Sequence, residues 1–157
     1  MGVKETFSDA EWKNLLELPY DVGMTVIFAS PSGPWGLWQE SKELLQEPFK
    51  LASQSGSSGL VSALAVELQS KAKDIMKAKQ DEIKHSTPEA FKIKTIEACK
   101  AAATTLIKAT NEEAAAYKRW VTDLGRKIAE AAKEHGVSVT PEESSALKEI
   151  SAALGMS

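Results

Sequence analysis

The sequence predicts an all-α protein, a single-domain bundle of about six helices over residues 1–157. Three observations carry this. Apolar residues recur at alternating three- and four-residue spacing, which places them on one face of a helix. No segment shows sustained apolar–polar alternation bounded by turn residues, so strands have no signal. Most Pro and Gly residues fall between the periodic stretches, beside the Ser and Thr side chains that cap helices.

Ser8 opens a first helix, and Glu11 three residues later completes a capping box. Trp12, Leu15, Leu16, Val22, Val26 and Ile27 form most of its apolar face, and Pro19 within it predicts a kink or short break near Leu18. A loop near residues 30–34 follows. A second helix begins near Pro34 and runs through Trp38, Leu44, Leu45 and Leu51, interrupted at Pro48. Residues 53–59 are a polar Ser/Gly loop. The third helix spans about Leu60 to Ile83, with Leu64, Leu68, Ala72 and Ile75 on the same stripe.

The boundary at residues 85–88 is the sharpest, since Ser86 or Thr87 can cap, Pro88 suits the first turn and Glu89 complements the positive helix end. Beyond it, Ile96, Cys99, Ala103, Leu106, Thr110, Ala114, Tyr117, Val121, Leu124, Ile128, Ala132 and His135 hold one apolar face. One helix of that length would span about 70 Å. A compact chain of this size measures only about 40 Å across. A break near Thr110, which caps with Glu113, resolves the conflict, and Gly125 is the alternative kink. After a loop at 136–140, Thr140, Pro141 and Glu142 start the last helix, which Gly155 ends.

The chain is 43% hydrophobic and 26% charged with a net charge of −3, so it carries no general attraction to nucleic acid or anionic membrane. The longest apolar run, residues 22–29, is far short of a membrane span, and no stretch has signal-peptide character. With Cys99 as the single cysteine, a cytoplasmic location is expected. Residues 60–110 carry nine basic against six acidic side chains, but Glu67, Asp74, Asp81 and Glu97 are interspersed, which makes Lys71, Lys73, Lys77, Lys79 and Lys84 a solvated face.

Catalytic chemistry has little material. Cys99 lies on the core stripe, and no nucleophile elbow, dinucleotide fingerprint or phosphate loop is present, so neither an enzyme nor a cofactor is expected. Glu82 and His85 have the i,i+3 spacing of di-iron bundles, the basis of an alternative reading as a metal-dependent, ferritin-like enzyme. Trp35 and Trp38, in a Gly/Pro-punctuated loop, are either a core plug or anchors for a partner.

The run Ile128-Ala129-Glu130-Ala131-Ala132, then Gly136 to Glu143, Leu147-Lys148-Glu149-Ile150 and Leu154-Gly155 resembles the tellurite-resistance TerB-like family. Leu18-Pro19, Val26 to Ala29, Ser32-Gly33, Glu40, Glu43 and Leu44-Leu45 are similar to a degenerate first copy, giving two pseudo-repeated helical halves. The resemblance implies a non-enzymatic, stress-associated helical module that binds a protein, small ligand or ion through paired acidic turns. The family's aspartate before glycine is Ser32 in one copy and His135 in the other, leaving His135 with Glu143 as a softer candidate site. Glu40 and Glu43 join Trp35 and Trp38 as candidates for partner or ligand binding. A structural scaffold that forms a homodimer through its Ala-rich helix is the third reading.

Overall fold

The computed structural model describes residues 3–29, 48–52, 59–134 and 141–156. Among them stand five long helices: α1 (Asp9–Ala29), α2 (Gly59–Lys84), α3 (Pro88–Thr105), α4 (Asn111–Glu134) and α5 (Pro141–Ala153). A 3-10 turn at Val3–Thr6 precedes α1, another at Leu106–Lys108 joins α3 to α4, and residues 48–52 form a further helical turn. The described residues contain no strand, so the fold is an all-α bundle. No described helix is long and apolar enough to cross a membrane.

The caps sit where residue chemistry places them. The Ser8 amide donates to Glu11 Oε1 at 2.8 Å and the Glu11 amide to Ser8 Oγ at 3.1 Å, a reciprocal capping box. Of the two candidates before Pro88, Thr87 is the cap, its hydroxyl accepting from the Ala90 amide at 3.0 Å. The stripe from residue 88 onward is two helices, not one. α3 tightens into the 3-10 turn, and Thr110 Oγ1 accepts from the Glu113 amide at 3.1 Å to start α4. Lys108 at this corner reaches Glu11 Oε1 and Oε2 at 2.8 and 2.9 Å, tying it to the start of α1. Gly155, at φ +81, ends α5. Its amide donates to Ala152 O at 3.0 Å and that of Met156 to Ser151 O at 2.9 Å, a Schellman closure.

α1 is the axis of the bundle and packs against all four other helices. From Leu15 to Ile27 its residues are buried on nearly every side, as a central helix requires. Around it α2 meets α4, α4 meets α5 and α5 meets α3, while α2 and α3 hardly meet. Gly125 is no kink. A Cβ there would lie 2.8 Å from Leu147 Cδ2 and 3.2 Å from Val22 Cγ1, so the missing side chain lets α4 approach α1 and α5 closely.

Pro19 does not break α1 either. Proline removes the amide that would bond to the carbonyl four residues back, here Leu15, and its ring pushes that carbonyl outward. The Tyr117 hydroxyl of α4 donates to Leu15 O at 2.8 Å and so replaces the missing bond from outside the helix. Both residues are fully buried, so the substitution of donors is complete without water. Trp120 fixes another piece of backbone, its indole Nε1 donating to Pro48 O at 2.9 Å and docking residues 48–52 on α4.

Candidate functional site

On the weak side of the ring, between α2 and α3, a set of partly buried polar side chains converges. Its floor is a polar stripe on α1: Asn14, Glu17, Asp21 and Thr25, spaced three, four and four residues apart on one helical face. Lys79 and Glu82 of α2 and Lys94 and Thr95 of α3 close over it, leaving a cleft of about 170 Å³ walled by Phe91 and Ala98.

One ammonium organises the cleft. Lys79 Nζ lies 2.9 Å from Glu17 Oε1, 2.9 Å from Asp21 Oδ1 and 3.9 Å from Glu82 Oε2. The other Glu82 oxygen pairs with Lys94, so Glu82 links α2 to α3. Deeper in the seam the Thr25 hydroxyl donates to Asp21 O at 2.8 Å and lies 3.0 Å from the Thr95 hydroxyl, while Asn14 Nδ2 donates to Ala98 O at 3.2 Å. The Lys79 side chain is only 14% exposed and that of Asp21 11%.

The two ion-pair partners titrate differently, and the geometry explains it. Burial pushes the Asp21 carboxyl up to about 6, although Lys79 pulls it down, and the like charges of Glu17 and Glu82 add to the rise. Lys79 is also desolvated, but Asp21 and Glu17 outweigh burial and hold its pKa above the usual range. One cation shared among several carboxylates is fully compensated, whereas each carboxylate receives only part of its charge. Beneath the seam, burial pushes the Cys99 thiol up to about 12, with the Asp21 charge adding to the effect. Burial likewise raises the Tyr117 phenol.

Of the residues singled out in the sequence, Glu82 is in this seam and His85 is not. Glu82 faces two ammonium groups, whereas His85 is exposed and its Nδ1 lies 2.9 Å from Asp81 O of its own helix. Both side chains nevertheless border one open surface pocket beside the turn that joins α2 to α3. Among the described residues no group of three or more His, Cys, Asp or Glu side chains is arranged to hold a metal ion. Trp35, Trp38, Glu40, Glu43 and His135 lie outside the described residues, as does the side chain of Glu143, so the two acidic turns are not brought together or separated here.

On sequence alone Lys79 belongs with the solvated lysines, and nothing marks out Asp21. A signal was present for the first. Lys79 falls three residues after Met76 and four before Ile83, on the buried stripe of α2. No family model, no curated protein and no solved structure matches the chain.

Proposed function

We propose that the chain is a non-enzymatic helical module, stress-associated in the manner of the TerB-like proteins it resembles, that acts by binding a protein or small ligand. The observation that carries this reading is the state of the seam: Glu17, Asp21 and Glu82 are bridged by the ammonium groups of Lys79 and Lys94. Carboxylates engaged in this way are poor metal ligands, because ligation would first require displacing a desolvated ammonium. The thiol of Cys99 supports the same reading, since a buried group with its pKa near 12 is a poor nucleophile at neutral pH.

Trp35 and Trp38, with Glu40 and Glu43, are the partner-binding residues in this proposal, because tryptophan is enriched among the side chains that anchor interfaces. Iodide quenching of tryptophan fluorescence tests it cleanly. Trp12 and Trp120 are only 3% and 2% exposed, so any quenchable emission belongs to Trp35 or Trp38. Substantial quenching, abolished when both are changed to Phe, is expected. Full protection of the emission would remove the anchor role. Elemental analysis of the untagged protein addresses the rest of the reading, and about one tightly held transition metal per chain would overturn it.

A further inference from the structure

We propose that the seam between α2 and α3 is a proton-operated joint, closed when Asp21 carries a proton and loosened when Asp21 is ionised. This goes beyond the binding role above and does not depend on it.

Three features of the packing place a movable joint here. Beyond the short turn at residues 85–87 that joins them, α2 and α3 hardly touch, so among the described residues α2 is held against the rest of the bundle chiefly by α1 and α4. The links across the seam are ionic, Lys79 to Glu17 and Asp21 on α1 and Glu82 to Lys94 on α3. A cleft of about 170 Å³ already separates the walls, so water can enter without a large apolar surface having to part.

Asp21 is the group whose charge decides whether closure is favoured. Glu17 faces it from α1, Lys79 and Glu82 from α2, Lys94 and Cys99 from α3, and Tyr117 from α4. On α5, Glu149 is taken up by Lys92 of α3. Among the described residues the one ammonium in contact with Asp21 is shared with Glu17, and the two neighbouring carboxylates repel the charge. A closed seam therefore withholds water from an incompletely paired carboxylate, and an open one hydrates it. Ionisation works against closure even though it completes an ion pair. Protonation leaves Lys79 on Glu17 and removes the charge that most needs water.

The size of the effect follows from linkage. Asp21 titrates near 6 in the closed seam and returns toward its ordinary 3.8 when hydrated. Opening therefore becomes about 25-fold more favourable between pH 4.5 and pH 7.5.

Hydrogen exchange on the full chain, corrected for the intrinsic pH dependence of amide exchange, reads this directly. Amides of α2 around Lys79 are expected to lose about 25-fold in protection from pH 4.5 to pH 7.5, while the buried amides of α4 and α5 change much less. The Asp21→Asn variant is expected to hold the low-pH protection at both pH values, which separates Asp21 from His85 and the other carboxylates. Unchanged α2 protection in the wild-type chain overturns the proposal, as does pH dependence that survives in Asp21→Asn. A loss spread evenly over α2, α4 and α5 reports global unfolding and overturns it too, and that outcome needs no variant.

Discussion

Changing Tyr117 to Phe removes one oxygen and tests how α1 accommodates a proline at its centre. Tyr117 is fully buried, and its hydroxyl donates at 2.8 Å to Leu15 O, the carbonyl that Pro19 leaves without an amide. Phe keeps the ring and its packing against Trp120, whose centroid lies 5.9 Å away. What remains is a buried carbonyl with no donor, a defect that costs about 1–3 kcal/mol. In a Pro19→Ala background the residue at 19 regains an amide that can bond to Leu15 O, so the same Tyr117→Phe change should cost only about 0.5 kcal/mol. The difference between the two backgrounds, about 1 kcal/mol or more, is a coupling energy readable from a double-mutant cycle. Urea unfolding followed by circular dichroism resolves it, since ~2 kcal/mol moves the midpoint by about 1 M in a chain of this size. Equal costs in the two backgrounds would show that Tyr117 and Pro19 are independent, and the explanation for the unbroken helix would fail.

Lys79→Met keeps the buried stripe of α2 but strips Glu17 and Asp21 of their shared cation. Because the Glu17 side chain is 23% exposed, the loss should be toward the low end for buried pairs, about 2–3 kcal/mol at pH 8 by urea unfolding. Asp21 has a raised pKa in the fold, so its contribution to stability is fully present below 3.8 and is lost as pH rises through about 6. Removing Lys79 raises that pKa further, so the Lys79→Met penalty should shrink by at least ~1 kcal/mol at pH 5, and a penalty independent of pH would contradict the assignment. Gly125→Ala should destabilise by about 1 kcal/mol, the overpacking against Val22 and Leu147 exceeding the helix-propensity gain. Leu147→Ala in the same chain should recover part of that cost, and strict additivity of the two changes in thermal unfolding would count against the close approach. Cys99 should stay unreactive toward a thiol reagent at pH 8 until the chain unfolds, and rapid labelling of the native protein would show the thiol is not buried.

Local chemistry was legible in the sequence wherever the relevant residues lie within one helical turn of each other. The Ser8–Glu11 box, the Thr87 cap before Pro88, the start of α4 at Thr110 and the stop at Gly155 are of this kind. The break before α4 was legible for a different reason: a compact chain cannot hold a helix as long as the periodicity allows. Relations between helices were not legible. Pro19 reads as a breaker because its compensating donor is 102 positions from Leu15 and approaches only through the packing of α4 on α1. The close approach at Gly125 is equally hidden, because nothing local shows that Val22 and Leu147 press against it.

The seam was hidden for a related reason. A lysine among other lysines on α2 reads as solvated, and only α1 passing beneath Lys79 with Glu17 and Asp21 turns it into the centre of a buried cluster. In the sequence Glu82 stands out for its spacing to His85, yet its importance in the structure lies in its pairing with Lys79 and Lys94 across the seam. Charge pattern along one helix does not report which charges another helix will cover.

The desolvated carboxyl of Asp21 underlies both the polar seam and its proton-operated opening, and it can be observed without any substitution. A pH titration of the side-chain carboxyl carbons of the isotope-labelled wild-type chain, followed by nuclear magnetic resonance, isolates it. A midpoint near 6 for Asp21 is expected. A midpoint at or below the ordinary 3.8 would show a carboxylate that Lys79 stabilises more than burial penalises, and would contradict the seam as described.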